Sequence, residues 1–359
     1  MNYKALTILS AFLVLMQSLE ACTGIRLTAA DGSSVTGRTV EFATQLDMHA
    51  AVIPRNYPFV GKTPKGKGLT YTSKYAVVGF YCFEDQIIMD GMNEKGLIIG
   101  AFYFPGYADY AKITQENQSS ALSPIDFTNW VLTQFATLEE VKAALPSISI
   151  APTVLQGWGS EPPPFHYIVY DRNGQSLVIE PVDGTLKTYE NEIGAFTNSP
   201  TFDWHLTNLN NFIHLSPFNA SPINLRGVEL EAFGQGSGML GLPGDFTPPS
   251  RFVRAALFSS YAKQSKNSDE LVLQVFHILN QFDIPVGAVR QKEGRKIAED
   301  ITMMTSVKDP HSMSYFFKSY EDQSIQSIEL MQFDLNAKKI KSMKIQGSEQ
   351  IKNISSLLK

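Results

Sequence analysis

The grouping of strand-forming and helix-forming segments most constrains the fold of this chain. Segments rich in β-branched residues occur in neighbouring pairs, and three of these pairs are joined by glycine-containing turns that favour antiparallel hairpins. The predicted pairs are 22–28 with 34–42, 86–92 with 97–104, and 165–170 with 176–180, and further strands are predicted at 313–319 and 325–334. Predicted helices fall in separate blocks that begin near Ser123, Thr137, Ser250 and Ser268. Since strands and helices do not alternate along the chain, the pattern predicts an α+β fold with antiparallel sheets.

The first residues have the features of a secretory signal peptide. Lys4 precedes an apolar run from Ala5 to Met16, and a polar stretch follows that ends in Ala21. The apolar run is too short to span a bilayer as a helix. We therefore predict a removable signal over residues 1–21, a mature chain that begins at Cys22, and a periplasmic or secreted location.

Cleavage before Cys22 would place a thiol and an α-amine on one residue. Their ordinary pKa values, about 8 for the amine and about 8.5 for the thiol, allow the amine to accept the thiol proton near neutral pH. The sequence alone leaves two other interpretations open. The junction Leu19-Glu20-Ala21-Cys22 also resembles a lipoprotein motif, which would make the chain a lipid-anchored binding protein. The second cysteine, Cys82, would pair with Cys22 in a disulfide in an oxidising compartment.

Composition excludes several classes of partner. The formal net charge is −5 at pH 7, and no basic stripe or cationic amphipathic helix is present. This argues against binding to nucleic acid, or to a membrane once the signal is removed. The histidines are not spaced like metal ligands, so we expect no metal and no other cofactor. A small molecule is the expected partner, and the lack of a low-complexity linker or internal repeat favours a single domain over residues 22–359.

Three polar residues stand out from their local sequence, and each allows two interpretations. Arg251 falls in the first turn of a predicted helix, where the helix dipole disfavours a cation by about 0.3–1 kcal/mol. It either reaches a surface carboxylate or faces a nucleophile or a substrate oxygen. Arg38 lies in an apolar strand, either as an edge charge or as a buried charge held by partners. Asn198 precedes Ser199-Pro200 and is either a turn former or a donor to an oxyanion.

Taken together, these segments resemble the choloylglycine hydrolase family, which contains bile salt hydrolases and penicillin V acylases and belongs to the N-terminal nucleophile hydrolases. The resemblance covers nearly all of the mature chain. It is carried by the ordered blocks 22–24, 37–38, 93–97, 104–107, 197–203, and 241–245 with 250–252. It implies a four-layer αββα sandwich, in which two antiparallel sheets lie between helix layers. It also implies a cysteine-nucleophile amidase that hydrolyses linear acyl amide C–N bonds through a thioester.

The resemblance also implies catalytic roles for individual residues. Cys22 matches the nucleophile and Asn198 the oxyanion-hole asparagine. Arg38 and Arg251 match the arginines around the cysteine, where positive charge lowers a thiol pKa. Glu41 departs from the usual pattern, because the family generally has aspartate three residues after the arginine. The carboxylate is retained but is one methylene longer.

Tyr103 occupies a substrate-binding position that is usually asparagine in bile salt hydrolases and tyrosine in penicillin V acylases. This favours an acylase, and a backbone N–H near Tyr103 is expected as the second oxyanion donor. N-acyl homoserine lactones are a further candidate substrate, since their amide also joins an acyl chain to a small polar head. The resemblance also raises the possibility of a homotetramer.

The first hairpin predicts how the site is assembled. With Asp31-Gly32 at its tip, the hairpin places Cys22 opposite Glu41, about 5 Å away. Arg38 and Glu41 are three residues apart, so a flat strand would send them to opposite faces. We predict that the strand bends or ends between them, because only then can both approach Cys22.

Overall fold

The computed structural model describes residues 21–43, 46–82, 87–156, 158–294, 296–345, 347–348 and 351–358. The predicted signal peptide, apart from Ala21, lies outside the described residues. In chain order the strands are β1 (Cys22–Thr28), β2 (Ser34–Phe42), β3 (His49–Ile53), β4 (Pro58–Thr63), β5 (Gly66–Thr72), β6 (Val77–Tyr81), β7 (Asp90–Asn93), β8 (Ile98–Tyr103), β9 (Ala121–Leu122), β10 (Ser149–Ile150), β11 (Phe165–Tyr170), β12 (Ser176–Val182), β13 (Thr185–Glu190), β14 (Ile223–Leu225), β15 (Val228–Leu230), β16 (Val289–Glu293), β17 (Lys296–Asp309), β18 (Ser314–Ser319), β19 (Gln326–Glu329) and β20 (Lys341–Lys344). The α-helices are α1 (Asp126–Gln134), α2 (Leu138–Ala144), α3 (Phe202–Asn208), α4 (Pro248–Tyr261) and α5 (Ser268–Leu279).

Two large antiparallel sheets contain most of the strands. The first sheet has the order β1-β2-β17-β18-β19, and β16 pairs with the beginning of β17. The second sheet has the order β13-β12-β11-β8-β7-β6-β3-β20. β2 therefore lies inside the first sheet, between β1 and β17, and β8 lies near the centre of the second.

Helices cover the outer faces of the two sheets. α4 and α5 pack on β1, β2 and β17, and α1 packs on β7 and β8. The approach of α5 is close at Gly37, where an added Cβ would lie 2.5 Å from Val275 and 2.8 Å from Leu279. The inner faces contact each other, since Nη1 of Arg38 in β2 donates to the carbonyl of Ala101 in β8 at 2.7 Å. This is the αββα sandwich that the sequence predicted.

The predicted hairpins and most predicted helices are present. β1 with β2, β7 with β8 and β11 with β12 are antiparallel neighbours. Gly96 and Gly174 adopt φ of +83° and +81° in the second and third turns, a conformation that glycine tolerates best. At α2, whose start was predicted near Thr137, the side chain of Thr137 accepts from the backbone N–H of Glu140 as an N-cap residue.

The predicted start of α4 at Ser250 was wrong. Thr247 is the N-cap, and Pro248 and Pro249 form the first positions of the helix. Proline is favoured at the first helical position, because the N–H it lacks has no partner within the helix there. Ser250 instead donates to the carboxylate of Asp245 at 2.7 Å.

The predicted register of the first hairpin was also wrong by one residue. Cys22 lies opposite Val40, not opposite Glu41. The backbone N–H of Ala29 donates to the carbonyl of Ser33 at 2.8 Å, so the loop contains three residues, and Gly32 within it has φ of +85°. A three-residue loop with a glycine at positive φ is the common alternative to the two-residue turn that the sequence suggested. A slip of one residue exchanges the faces on which side chains lie.

The ladder beside Arg38 and Glu41 is irregular, but β2 does not end between them. The register of β17 against β2 shifts between Thr302 and Met304, which lie opposite Glu41 and Val40. The extra residue is thus in the neighbouring strand, and a bulge of this kind bends and twists the ladder locally. Arg38 and Glu41 both line the cleft at Cys22.

Candidate active site

Cys22 is buried at the first position of β1, between the two sheets. Its side chain is 6% exposed, and Nη2 of Arg38 donates to its Sγ at 2.9 Å. Neither Cys22 nor Cys82 is in a disulfide, so the predicted alternative of a Cys22–Cys82 bridge is not found. A thiol in this position can act as a nucleophile only toward a substrate that enters the cleft.

Arg38 is a buried charge held by partners, which resolves the alternatives that the sequence left open. It lies in an interior strand and is 3% exposed. Its guanidinium donates to the carbonyls of Ala101 at 2.7 Å and Thr39 at 3.2 Å. It also lies 3.9 Å from the centre of the Phe102 ring. These contacts fix the orientation of the Nη2 that meets the thiol.

Arg251 and Asn198 meet at the backbone of Cys22. Nη1 of Arg251 donates to the carbonyl of Cys22 at 2.5 Å, and its Nη2 donates to Oδ1 of Asn198 at 2.7 Å. The same Oδ1 accepts from the backbone nitrogen of Cys22 at 2.8 Å. Nδ2 of Asn198 donates to the carbonyl of Tyr103 at 2.8 Å. Arg251 is fully buried, so it does not reach a surface carboxylate.

The amide orientation of Asn198 follows from these partners. The Cys22 nitrogen and the Arg251 guanidinium can only donate, so the oxygen of Asn198 must face them. Nδ2 then faces the Tyr103 carbonyl, and this bond uses one of its two N–H groups. The second N–H is not used by these contacts, and Asn198 is hydrogen-bonded to Cys22 and Tyr103, two residues that line the cleft.

Glu41 is a buried carboxyl beside this cluster. It is 1% exposed, and its Oε1 accepts from the hydroxyl of Thr302 at 3.0 Å. Its Oε2 has no hydrogen-bond partner among the described residues. Burial raises the pKa of Glu41 to about 8, against the opposing charges of Arg251 and Arg38.

Burial also raises the pKa of the Cys22 thiol above its ordinary value. The positive charges of Arg38 and Arg251 oppose this shift, while Glu41 adds to it. In the chain described here the nitrogen of Cys22 is a peptide nitrogen, because Ala21 precedes it. The thiol is therefore in its protonated form at neutral pH unless a base accepts its proton.

The cleft at Cys22 has apolar walls. It is lined by side chains from β2, β6 and β8 and from the segments around them, including Phe42, Leu46, Phe80, Met89, Tyr103, Trp158 and Phe165. Trp158 contacts Phe42, Tyr103 and Phe165, with ring centres 5.5, 5.9 and 5.3 Å apart. A larger open groove of about 410 Å³ lies elsewhere, near Lys142 and Leu186, but the polar cluster identifies the smaller cleft as the candidate site.

The structure thus brings together every site residue that the sequence analysis selected. Hydrogen bonds join Cys22, Arg38, Asn198, Arg251 and Tyr103, directly or through Asn198. Glu41 lines the same cleft as Cys22, Arg38 and Tyr103. Sequence reasoning missed His166 and His205, whose imidazoles bind the backbone around Asn198. His205 lies just beyond the block 197–203, and that position was the available signal for it.

Neither a metal centre nor a membrane span is found in the described part of the chain. Across these residues, no group of three or more His, Cys, Asp and Glu side chains is arranged to hold a metal ion. Within the same residues, the helices are too short or too polar to cross a bilayer.

The chain is similar to known proteins over nearly all of the sequence from Cys22 onward. Residues 22–343 match the model of the linear amide C–N hydrolases, choloylglycine hydrolase family. A bile salt hydrolase/transferase of Clostridium perfringens is 36% identical over 340 residues, which cover 93% of this chain and 100% of that protein. A bile salt hydrolase/transferase of Lactiplantibacillus plantarum is 32% identical over 335 residues, 92% of this chain and 98% of that protein.

Solved structures agree with these matches. A crystal structure of a mutant conjugated bile acid hydrolase from Clostridium perfringens has a TM-score of 0.83 and 33% identity, and the alignment covers 93% of this chain and 100% of that one. A penicillin V acylase from Agrobacterium tumefaciens has a TM-score of 0.73 at 23% identity, over 91% of this chain and 95% of that one. The second likeness is evidence for the fold alone.

Proposed function

The chain belongs to the linear amide C–N hydrolases of the choloylglycine hydrolase family, and on this basis we propose that Cys22 is the nucleophile of an amidase that works through a thioester. The main support for this proposal is the hydrogen-bonded cluster at Cys22. Arg38 donates to the sulfur at 2.9 Å, and the side-chain oxygen of Asn198 accepts from the nitrogen of the same residue at 2.8 Å. Nucleophile, base and oxyanion donor then lie within one set of hydrogen bonds.

The reaction needs the signal to be removed first. Cleavage between Ala21 and Cys22 turns the peptide nitrogen of Cys22 into an α-amine, which retains an N–H for Oδ1 of Asn198 and gains a lone pair. That lone pair accepts the thiol proton, and the thiolate attacks the carbonyl carbon of the substrate amide. The second N–H of Asn198 donates to the oxygen that becomes negative. The C–N bond then breaks, and the leaving nitrogen takes the proton from the α-ammonium.

Hydrolysis of the thioester completes the cycle. Water attacks the thioester carbonyl as the α-amine accepts one of its protons, and the same asparagine N–H stabilises the second oxyanion. The C–S bond breaks, the sulfur recovers its proton, and the carboxylic acid leaves. Each step conserves protons within Cys22, the water and the substrate, so no cofactor is needed.

The surroundings of Cys22 favour this function over a lipid anchor. The sulfur is buried and lies 2.9 Å from a guanidinium group, whereas a diacylglyceryl group on the same atom would need apolar space and access to a membrane. The family match begins at Cys22, which also fits a removable segment before it. We propose export to the periplasm or the exterior, with an unmodified cysteine at the mature N-terminus.

The substrate is proposed to have an apolar acyl group. The walls of the cleft are aromatic and aliphatic, and such walls hold an acyl chain or an aryl group better than a charged head. Tyr103 in the cleft favours a substrate preference like that of penicillin V acylases. The similar proteins from Clostridium perfringens and Lactiplantibacillus plantarum are bile salt hydrolases/transferases. A rate comparison with penicillin V, glycine- and taurine-conjugated bile salts and an N-acyl homoserine lactone decides among these substrates.

Replacement of Cys22 tests the mechanism. Cys22→Ala should abolish hydrolysis of every substrate in the comparison and leave thermal unfolding within a few degrees of the unchanged protein. Cys22→Ser should also be inactive or nearly so, since a hydroxyl is a much weaker nucleophile beside the same amine. The measurement is turnover, together with intact mass after mixing with substrate, where the wild type should gain the mass of the acyl group. Activity that survives in Cys22→Ala, or a lipid increment on the mature wild-type chain, would contradict the proposal.

A further inference from the structure

The backbone on both sides of the Asn198 α-carbon is held by buried imidazoles. Nε2 of His166 lies 3.0 Å from the carbonyl oxygen of Thr197, and Nε2 of His205 lies 2.9 Å from the carbonyl oxygen of Asn198 itself. The two histidines are 1% and 2% exposed. Because a carbonyl oxygen only accepts, each Nε2 must carry a proton and donate it.

A single carboxylate contacts one of these imidazoles and the start of the helix that carries the other. Oε1 of Glu180 lies 3.1 Å from Nδ1 of His166, and it accepts from the backbone N–H of Phe202 at 3.0 Å. Phe202 is the first residue of α3, the helix that carries His205. Glu180 in β12 therefore links the strand that positions one imidazole to the helix that positions the other.

The protonation of this network follows from its partners. One proton is on Nε2 of His166, because this nitrogen donates to the Thr197 carbonyl. The hydrogen bond between Nδ1 of His166 and Oε1 of Glu180 needs a second proton. The His166–Glu180 pair has no net charge whether this second proton is on the nitrogen or on the oxygen. Burial lowers the pKa of His205 to about 4, and its Nδ1 has no hydrogen-bond partner among the described residues. His205 is then a neutral ring near neutral pH, with its single N–H directed at the Asn198 carbonyl.

The position of Asn198 matters because of what its side chain does in the proposed reaction. Three hydrogen bonds, from Cys22, from Arg251 and to Tyr103, fix the rotation of its amide. They do not by themselves fix how far the residue lies from the carbonyl carbon that Cys22 attacks. An error of about 1 Å in such a position can cost about 10²-fold in rate.

We propose that His166 and His205 are positioning residues, which hold the backbone of Asn198 so that its amide N–H meets the oxyanion formed at Cys22. The inference rests on the proposed function, because it assigns no chemistry to the imidazoles themselves. It predicts that the N–H of each ring matters for turnover and that the ring as a packing element matters mainly for stability.

Packing is the alternative role, and the two rings do pack. The His205 ring stacks on Phe252 with centres 4.6 Å apart, and the His166 ring stacks on Phe104 at 4.1 Å. A purely structural histidine would be replaced well by another flat ring. If the histidine positions Asn198, a residue that restores the side-chain N–H donor but not the ring should preserve turnover better than one that restores only the ring.

Crossed substitutions at His205 separate these roles. His205→Phe keeps an aromatic ring against Phe252 and removes the N–H, whereas His205→Gln removes the ring and returns an N–H near the position of Nε2. Positioning predicts that His205→Phe lowers kcat by about 10- to 100-fold with little change in KM, and that His205→Gln recovers most of this loss. If phenylalanine prevents folding, His205→Leu deletes the same donor in a smaller volume.

Phe252→Leu is the matched control. It removes the stacking partner in α4 but leaves the His205 N–H in place, so it should lower the melting temperature and retain kcat. The positioning role is overturned if His205→Phe keeps wild-type kcat, or if Phe252→Leu and His205→Gln lose as much turnover as His205→Phe.

A second readout distinguishes this inference from the proposed function. In protein labelled with ¹⁵N-asparagine, the Asn198 side-chain N–H signals, assigned with Asn198→Ser, should shift in His205→Phe and stay close to their wild-type position in Phe252→Leu, without any substrate. If Cys22→Ala remains active, the proposed function fails whatever these spectra show. If the spectra do not distinguish the two variants, the positioning role fails even though Cys22 is the nucleophile.

Discussion

At the scale of single residues, two arginines, whose side chains can only donate hydrogen bonds, determine the hydrogen-bond pattern of the site. Arg38 and Arg251 bring their guanidinium N–H groups to Sγ of Cys22 and to Oδ1 of Asn198. Neither arginine can lose its charge in a protein, so both keep these roles at any working pH. Because the Asn198 oxygen already accepts from Arg251 and Cys22, the amide nitrogen is the Asn198 group that would donate to the substrate oxygen in the proposed reaction.

Glu41 is the residue in this cluster whose ionisation should affect stability. Burial raises its pKa to about 8 in the folded chain, compared with about 4.3 in an unfolded chain. The folded state therefore binds more protons than the unfolded state between these values, and its stability falls as pH rises through this window. The cost reaches at most about 5 kcal/mol and levels off above the folded pKa.

Glu41→Gln tests this expectation, because the amide stays neutral at all pH values. In a chain that retains Ala21, as in the structure, urea unfolding at pH 5 and pH 8 should show a larger loss of stability for the wild type than for Glu41→Gln. Asp300, whose pKa burial raises to about 7, titrates in both proteins and cancels in the difference. Equal losses in the two proteins would mean that Glu41 is ionised in the folded state throughout this range.

At the scale of elements, a buried charge cluster ties the two sheets together. Asp90 in β7 accepts from Nζ of Lys308 at 2.8 Å, from the hydroxyl of Ser306 at 2.9 Å and from the hydroxyl of Tyr315 at 2.9 Å. Lys308 and Ser306 belong to β17 and Tyr315 to β18, on the opposite sheet. All four residues are at most 2% exposed, so each depends on the others for its partners.

Removal of one member of this cluster should be costly. Lys308→Met leaves the Asp90 carboxylate buried without its cation, and we expect a loss of about 3–5 kcal/mol in unfolding free energy. The double variant Lys308→Met with Asp90→Asn should recover part of it, since no net charge is then buried alone. Urea unfolding measures both. As a control, Lys187→Met breaks the exposed pair with Asp183 and should change stability by less than about 1 kcal/mol. A double variant that is no more stable than the single one would show that the charge itself is not what destabilises the sheets.

Local elements could be predicted from the sequence, and long-range ones could not. The hairpins at Gly96 and Gly174 were found because a turn and its two strands are neighbours in the chain. β17 pairs with both β2 and β18. It was not predicted, because its pairing with β2 joins segments that are far apart in the sequence. α3 was also missed, because its short polar sequence shows no helical period of apolar residues. The register of the first hairpin depended on a single residue in the loop, a difference that the Asp31-Gly32 signal does not decide.

At the scale of the whole molecule, the site residues were predictable through their blocks, but their supporting partners were not. Cys22, Arg38, Asn198 and Arg251 belong to segments whose order along the chain is typical of the family. His166 and Glu180 lie in ordinary strand sequence, and only the folded sheet brings them beneath Asn198. A side chain whose role is to hold another residue has no sequence signal of its own, since its partner is set by the fold.

Assembly into a homotetramer is the expectation that concerns the whole molecule, and an exposed hairpin is the surface that we propose for contact between copies. β14 and β15 form a separate two-stranded sheet, joined by Arg226-Gly227 at φ of +53° and +90°. Such a ribbon is marginal in water by itself. Ile223 pairs with Leu230 and Leu225 with Val228, so one face carries apolar side chains that are 44–60% exposed. We propose that a second copy of the chain covers this face.

Charge placed on this apolar face should weaken assembly. Ile223→Lys with Val228→Lys puts two cations where the hairpin would be buried, and sedimentation should show lighter particles than those of the wild type. Asn224→Lys adds a charge to the opposite face of the same hairpin and should leave the mass unchanged, because alternate residues of a strand point to opposite sides. If the wild type sediments as a monomer at micromolar concentration, no second copy covers the hairpin in solution. If the apolar-face variant remains tetrameric, the subunits meet through another surface.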